Sequence, residues 1–451
     1  MPGTPHSHTY TAKKRRLPPH NGQLIFFLWN FAIERNWDPY YNETEARNSE
    51  VIFLKCLFLS TATGQGHNSA AAAIAEYLKT QNCTTEFLDI LNLGKRNYSR
   101  PVSKLYANIT VHTPLFFKAL YLAGERVSSS RRRSPIYYLN TLCAGRLLEE
   151  IQRIQPDVIA CTHIFSAQAV TCLREKYGLK IPAAGVATDY TCIPFWEESR
   201  LDAYVIPAPA LTDEFAEKGI PRGKIIPIGI PVRAQFQKKL LKQEARTEFG
   251  FTAGHVFVVM GGSMGYGDLR GLARELLAAV PDSQVAILCG NNQKKLRDLT
   301  GAANVIPFEY IDTVGDLMDS ADVILTKPGG LSSTEALVKR IPTVLTRPIP
   351  GCEQRNAEYL ASLGAAAYAG GNREAAREAR RLTCDPAAAS KMIRAQEKYI
   401  APDADRQIGD FLMALGKSSA KGGEKRWKTR TLSAPCTRWQ AFCPDPSCSR
   451  T

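Results

Sequence analysis

From Val51 to Ser60 the chain is almost wholly apolar, the pattern of a strand buried on both faces, and Ser69–Leu78 behind it is Ala-rich with helical spacing. Short apolar runs recur at Val158–Cys161, Ala183–Ala187 and Tyr204–Ile206, alternating with helical stretches at Ser166–Tyr177 and Leu211–Lys218. A Pro-rich hinge, Ile226–Val232, interrupts the alternation, which then restarts. Strands are expected at His255–Met260, Gln284–Cys289, Asn304–Pro307, Val323–Thr326 and Thr343–Leu345, with helices at Asp268–Ala279, Leu331–Lys339 and Arg355–Leu363. The pattern predicts two α/β domains with mostly parallel sheets, 51–228 and 229–415, facing across a cleft at the carboxyl ends of both sheets. Residues 1–50 show no sustained period and are expected to be an extension. Residues 416–451, rich in Lys, Ser, Gly and Pro, are expected to be a disordered tail.

Four loops at strand ends carry candidate chemistry. Thr61-Ala62-Thr63-Gly64-Gln65-Gly66-His67 follows the first strand and opens the first helix, so Gly64 and Gly66 permit close backbone approach to a ligand and His67 projects toward the cleft. An imidazole there suits proton abstraction from an attacking hydroxyl; capping the helix or orienting the acceptor is the alternative. Gly261-Gly262-Ser263-Met264-Gly265 repeats the arrangement in the second domain, where Gly262 and Ser263 suit a phosphate, or only a tight turn. In Lys327-Pro328-Gly329-Gly330-Leu331-Ser332-Ser333-Thr334-Glu335, Gly329, Gly330 and the helix start suit a diphosphate and Glu335 a ribose diol; helix capping is the plainer reading. Glu353, Gln354 and Asn356 concentrate the donors and acceptors that read sugar hydroxyls, or that solvate a loop. A nicotinamide-binding reading of the first loop fits poorly, because the third glycine of the GxGxxG fingerprint is missing and Asp89 alone proves little.

Composition narrows the setting. The chain has 451 residues, 44% hydrophobic, enough for two packed domains, and a formal net charge of +14 that favours anionic surfaces. The segment 416–451 alone supplies +6, leaving +8 for the rest. The twelve Cys form no CxxC pair and no zinc-like spacing, so neither a metal site nor a disulfide framework is expected and the chain is placed in the cytosol. No run reaches the roughly 20 apolar residues of a membrane-spanning helix. The apolar stretch Leu24–Trp29 after Lys13–Arg16 is too short and lacks a cleavage site for a secretory signal. Leu115–Leu122, followed by Arg126 and Arg131–Arg133, suits an anionic interface, or an ordinary core helix beside a solvated charge run.

Taken together, GQGHNSAA at Gly64–Ala71, TDY and IPFWEE within Thr188–Glu198, GIPV at Gly229–Val232, GGSMG at Gly261–Gly265, KPGGLSSTEA at Lys327–Ala336 and GCEQRNAEYL at Gly351–Leu360 resemble the monogalactosyldiacylglycerol synthases and processive diacylglycerol glycosyltransferases. The resemblance spans Phe53 to Leu415. It implies a GT-B fold, two Rossmann-like parallel-sheet domains across a cleft, and a metal-independent inverting hexosyltransferase with UDP-hexose as co-substrate, no cofactor, and diacylglycerol as acceptor. It also implies peripheral association with the inner face of the cell membrane, an anionic membrane surface as partner, and no nucleic acid. On this resemblance His67 lies near the reacting hydroxyl with Asp189 as a second candidate base, and Gly64, Gly66 and Trp196 belong to the acceptor side. Gly262, Ser263, Gly329, Gly330, Glu335, Glu353, Gln354 and Asn356 belong to the donor. Rival readings are a GlcNAc transferase acting on an undecaprenyl-linked peptidoglycan precursor, a UDP-sugar 2-epimerase, and a non-catalytic nucleotide-sugar or lipid-binding module.

Overall fold

A computed structural model of the chain describes residues 54–61, 65–93, 114–262, 265 and 267–420, all within a single compact unit. Gly64, Ser263, the 1–50 extension and residues 421–451 lie outside the described residues, as do the side chains of residues 114–118, 120, 419 and 420. Two six-stranded sheets form the frame, and every strand pairing in them is parallel. The first contains β1 (Lys55–Ser60), β2 (Thr84–Asp89), β3 (Val158–Cys161), β4 (Ala183–Val186), β5 (Ala203–Ile206) and β6 (Ile225–Pro227), in the order β2-β1-β3-β4-β5-β6. The second contains β7 (His255–Met260), β8 (Ser283–Leu288), β9 (Val305–Phe308), β10 (Val323–Thr326), β11 (Thr343–Thr346) and β12 (Ala367–Ala369), in the order β12-β11-β10-β7-β8-β9.

The central strands are apolar on both faces because both faces are covered. In β1, Leu57 and Leu59 join the cluster containing Leu147, Ile151 and Leu173 of the helices Ala144–Ile154 and Ile164–Tyr177. Cys56 and Phe58 join the opposite cluster, with Ile74 and Leu78 of the helix Gln65–Thr80. That opposite cluster also holds Phe411, Leu412 and Leu415 of the last described helix, Ala404–Ala420. Two glycines allow this helix to sit close: a Cβ at Gly409 would lie 2.4 Å from the Tyr77 ring, and one at Gly416 would lie 2.7 Å from Leu54.

Three expectations are corrected here. The hinge at Ile226 begins inside β6, since an apolar Ile-Ile-Pro triplet can close a sheet edge even with a proline. The 229–415 block does not stay with the second sheet, because the helix Ala404–Ala420 returns to pack on the first. The same helix runs to Ala420, past the expected start of the tail.

In each sheet the strand order reverses once, between β1 and β3 in the first and between β7 and β10 in the second. Loops leaving the carboxyl ends of the strands at such a reversal diverge and open a crevice, the usual ligand position in open α/β sheets. The first crevice is bordered by the segment after β1, which leads to His67, and by Thr162-His163 after β3; the second by Gly261-Gly262 after β7 and Lys327 after β10.

Candidate functional site at the two sheet reversals

The helix after β1 starts at Gln65, earlier than its apolar spacing suggests, and this puts Gly66 and His67 in its first turn. The half-buried His67 ring is held on one side. Its Nδ1 lies 2.9 Å from the Thr162 carbonyl oxygen and 3.0 Å from Thr188 Oγ1. A carbonyl oxygen only accepts, so Nδ1 carries the proton and Nε2 keeps the lone pair. The His163 ring packs edge-on against His67 with centroids 4.6 Å apart. Burial lowers the His67 pKa below the ordinary imidazole value, opposed by the charge of Asp189 and the hydrogen bond to Thr162, and this favours the neutral ring. Burial pushes Asp189 the other way, upward, against the stabilising hydrogen bond from Asn356 and the charge of His67.

The Thr188-Asp189-Tyr190 loop after β4 joins this site to the second sheet. Thr188 reaches His67, while Asp189 Oδ1 accepts from Asn356 Nδ2 at 2.8 Å. Tyr190 is buried between two second-sheet helices: its hydroxyl is 2.8 Å from Thr334 Oγ1, its ring stacks on Tyr359 at 5.5 Å, and its N–H donates to Asn356 Oδ1 at 2.7 Å. Asn356 Nδ2 also donates to the Pro328 carbonyl at 3.0 Å. This accounts for the side-chain amide of Asn356 on both its oxygen and its nitrogen and makes the residue a clamp between the halves.

Glycine is required at Gly330, where a Cβ would fall 1.8 Å from the Thr188 carbonyl oxygen. The helix Gly330–Val338 therefore begins directly against the Thr188 loop. One residue further on, Leu331 lies in van der Waals reach of the Cβ position of Gly66, at 3.7 Å. The starts of two helices, one from each crevice, thus touch beside His67, and their free N–H groups make this junction favourable for negative charge.

At the second crevice Gly262 has φ +69°, a left-handed conformation suited to glycine, and its Cβ position is 2.9 Å from Lys327 Cε. Lys327 Nζ donates to Glu353 Oε1 at 2.7 Å, and Glu353 Oε2 accepts from Ile349 N at 2.9 Å. Burial lowers the Lys327 pKa, but the charge and hydrogen bond of Glu353 outweigh it and raise it overall. A Cβ at Gly329 would sit 3.6 Å from Glu353 Oε1, ordinary contact. Glu335 is half-buried one turn into its helix, and its carboxylate makes no hydrogen bond or ion pair among the described residues. Burial pushes its pKa up to about 8, with the Arg233 charge opposing. Arg233, just past the hinge, is 2.7 Å from Glu76 of the first helix. Gln354 is half-exposed, donating to Glu358 at 2.6 Å and accepting from the Tyr368 hydroxyl at 3.2 Å.

Trp196 does not face a cleft. Its ring is 3% exposed and lies beneath β4, so close that a Cβ at Gly185 would be 2.7 Å from it, with Tyr204 edge-on at 6.3 Å. Trp196 supports β4 and the loop that follows it from below. The carboxylates beside it are likewise structural: Glu198 accepts from Ser134 Oγ and Gln168 Nε2, each at 3.0 Å.

Sequence reasoning passed over Thr162, His163, Thr188, Lys327 and Tyr121. His163 and Lys327 carried a usable signal, since each stands just beyond a strand at a reversal. Tyr121, on the helix Pro114–Val127, packs against Gly351 with ring carbons 3.0 Å from its Cβ position, and its buried hydroxyl has no hydrogen-bond partner among the described residues. On the same helix Glu125 pairs with Arg355 at 2.6 Å. Leu122, Arg126 and Val127 are exposed, as are Arg131 and Arg132, whereas Arg133 is tied to Glu175 and the Glu198 carbonyl.

Comparison with known proteins gives matches along most of the described chain. Residues 67–232 match the family model for monogalactosyldiacylglycerol synthase, and residues 256–378 match the glycosyltransferase family 28 C-terminal domain. A processive diacylglycerol beta-glucosyltransferase from Bacillus cereus (strain AH820) is 25% identical over 372 residues, 80% of this chain and 93% of that protein. Among solved structures, Acinetobacter baumannii MurG aligns with a TM-score of 0.51 at 15% identity, covering 80% of this chain and 99% of the other. UDP-GlcNAc 2-epimerase from Neisseria meningitidis aligns at 0.50 and 15% identity, covering 80% and 100%. At these identities the structural likeness speaks for the fold alone.

Proposed function

Since the chain belongs to the monogalactosyldiacylglycerol synthase type of family 28 glycosyltransferases, we propose that it transfers a hexose from a UDP-sugar to diacylglycerol, with inversion, in glycolipid synthesis. The observation that carries this reading is the junction beside His67, where the start of a first-sheet helix touches the start of a second-sheet helix through Gly66 and Leu331. An acceptor hydroxyl and a departing diphosphate must meet within a few ångströms, and a neutral imidazole beside two helix N-termini suits both.

In this scheme His67 Nε2 takes the proton of the lipid hydroxyl as its oxygen attacks the anomeric carbon. Thr162 and Thr188 fix the ring, and Asp189 stabilises the imidazolium that forms. Glu335 binds the ribose, the loops at Gly262 and Gly329-Gly330 hold the diphosphate, and Glu353 with Gln354 reads the sugar. Asn356 acts by holding Asp189 and the loop. Among the described residues no helix is long and apolar enough to cross a membrane. The proposed contact is peripheral, at the anionic cytoplasmic leaflet, through the exposed apolar and arginine side chains of Leu122–Arg132.

The test is turnover by the full chain with diacylglycerol in mixed micelles and a panel of UDP-sugars, with the lipid product identified by mass spectrometry. A hexosyl-diacylglycerol is the expected product. Transfer only to a polyprenyl-linked acceptor, or interconversion of UDP-sugars without lipid, would overturn the reading.

A further inference from the structure

Beyond Gly262 a cavity opens over the carboxyl ends of β7, β10 and β11, lined by Lys327, Arg347, Thr346, Asp268, Gly267 and Asn372 among others. Three features make it a site for an anion. Lys327 stands just beyond β10, packed against Gly262 and paired with a single carboxylate, Glu353. Arg347, in left-handed conformation at φ +51°, makes no hydrogen bond or ion pair among the described residues, although half-buried. Thr346 is 6% exposed and its hydroxyl, buried in this wall, has no hydrogen-bond partner among the described residues. A buried hydroxyl left unpaired is destabilising, and a bound oxyanion would relieve it.

We infer that Lys327 is the cation that receives the departing diphosphate, with Arg347 and Thr346 beside it, and that it is handed over from Glu353 when the donor binds. The inference rests on the proposed UDP-sugar chemistry. In the transfer, the bond between the anomeric carbon and the β-phosphate oxygen breaks, and its electron pair stays on UDP. The acceptor oxygen bonds to that carbon and loses its proton to His67. UDP leaves with one more negative charge than it had in the donor, and the Lys327 ammonium lies where that charge appears. The handover has a second consequence, because Glu353 Oε1 is released to accept a sugar hydroxyl while Oε2 stays on Ile349 N. Donor binding thereby completes the sugar subsite, and an empty site keeps its buried charges paired.

Calorimetry on the full chain with UDP, UMP and uridine tests the inference. Lys327→Met should weaken UDP binding by about tenfold or more and leave uridine within about twofold, since only the diphosphate loses a charge-assisted contact. Lys327→Arg, which keeps a cation, should retain most of the UDP affinity. Because Lys327→Met strands Glu353, the double variant Lys327→Met with Glu353→Gln removes both charges and keeps the measurement interpretable if the single variant fails to fold; its UDP-over-uridine loss should persist. Parallel losses for UDP and uridine, or unchanged UDP binding in the double variant, overturn the inference. A wild-type chain that binds no UDP at all overturns the donor reading with it, and that outcome is separate from any behaviour of the variants.

Discussion

The two sheet reversals are built alike and charged differently. On the first sheet the chemical group is a histidine held by uncharged oxygens, the Thr162 carbonyl and the Thr188 hydroxyl, with a second imidazole against its edge. On the second sheet a lysine is held by a carboxylate 2.7 Å away, with an unpaired arginine nearby. The same scaffold therefore places a neutral imidazole on one side and positive charge on the other. A direct carboxylate on His67 Nδ1 would raise its pKa and leave more of the ring charged at a given pH. Neutral partners orient it without that cost, and Asp189 acts from a distance through its charge.

The contrast is sharpest at His67. Replacing it with Ala should lower turnover by about 10²–10⁴-fold and leave UDP affinity unchanged, because the donor side stands without it. Calorimetry and initial rates on the same preparation check this. The acidic limb of the pH–rate profile should lie below the ordinary imidazole value, since burial lowers the His67 pKa and the base stays unprotonated further into acid. An acidic limb abolished by Asp189→Asn and not by changes at His67 would transfer the role of base to Asp189. Near-normal turnover of His67→Ala with diacylglycerol would remove His67 from the chemistry.

On the donor side Glu335→Ala should weaken UDP binding by about 1.5–3 kcal/mol, the usual contribution of hydrogen bonds to a charged group. The effect carries a pH signature. In the empty site burial raises the Glu335 pKa to about 8, so at neutral pH the carboxyl is mostly protonated. Two ribose hydroxyls favour the ionised form, so UDP binding releases a proton and affinity falls as pH drops below about 8. Between pH 7 and pH 9 the wild-type affinity should rise by about tenfold, and Glu335→Gln should flatten that rise. A pH-independent wild-type affinity would disconnect Glu335 from the ribose.

A smaller effect, on stability, is expected where the two regions meet. Gly330→Ala forces a methyl group into the Thr188 carbonyl oxygen, 1.8 Å from its Cβ position, and the helix must back away from the loop. Overpacking of this kind costs about 1–3 kcal/mol, and denaturant melts should show it. An unchanged melt would mean that the junction yields without strain.

Most of the frame was legible because parallel strands covered on both faces leave continuous apolar runs, as at Val158–Cys161 and Val323–Thr326, where all residues are buried. Less legible was whatever depends on contacts far apart in sequence. Nothing local shows that Phe411 and Leu412 pack on a strand beginning at Lys55, or that Trp196 is buried against a glycine of β4. At the site, glycine loops and acidic residues attracted notice by type, while Thr162 and Thr188 did not, since one acts through its backbone and the other is a common residue. Asn356 was noticed for its amide, and its partners are Asp189, Tyr190 and Pro328. Lys327 is a common residue type inside a glycine-rich motif, although a cation just beyond an apolar strand at a sheet reversal has a physical reason to be there.

The smallest effect concerns the chain end and asks whether the comparison is complete without it. The helix Ala404–Ala420 leaves the second half and fills the face of the first sheet, with Phe411, Leu412 and Leu415 at most 4% exposed. Residues 421–451 lie outside the described residues and beyond the matched stretches 67–232 and 256–378. Truncation after Ala420 should therefore leave the melting temperature unchanged and hold both UDP affinity and turnover in mixed micelles within about twofold, as for surface changes away from packed features. Truncation after Asp403 removes the helix, uncovers Leu54 and Phe58, and should abolish cooperative unfolding, because three large buried side chains contribute roughly 1.5–3 kcal/mol each. If the shorter cut alone, after Ala420, destroyed turnover in a protein that still melted normally, the tail would hold part of the catalytic machinery, and neither sheet reversal would be a complete account of its half of the reaction.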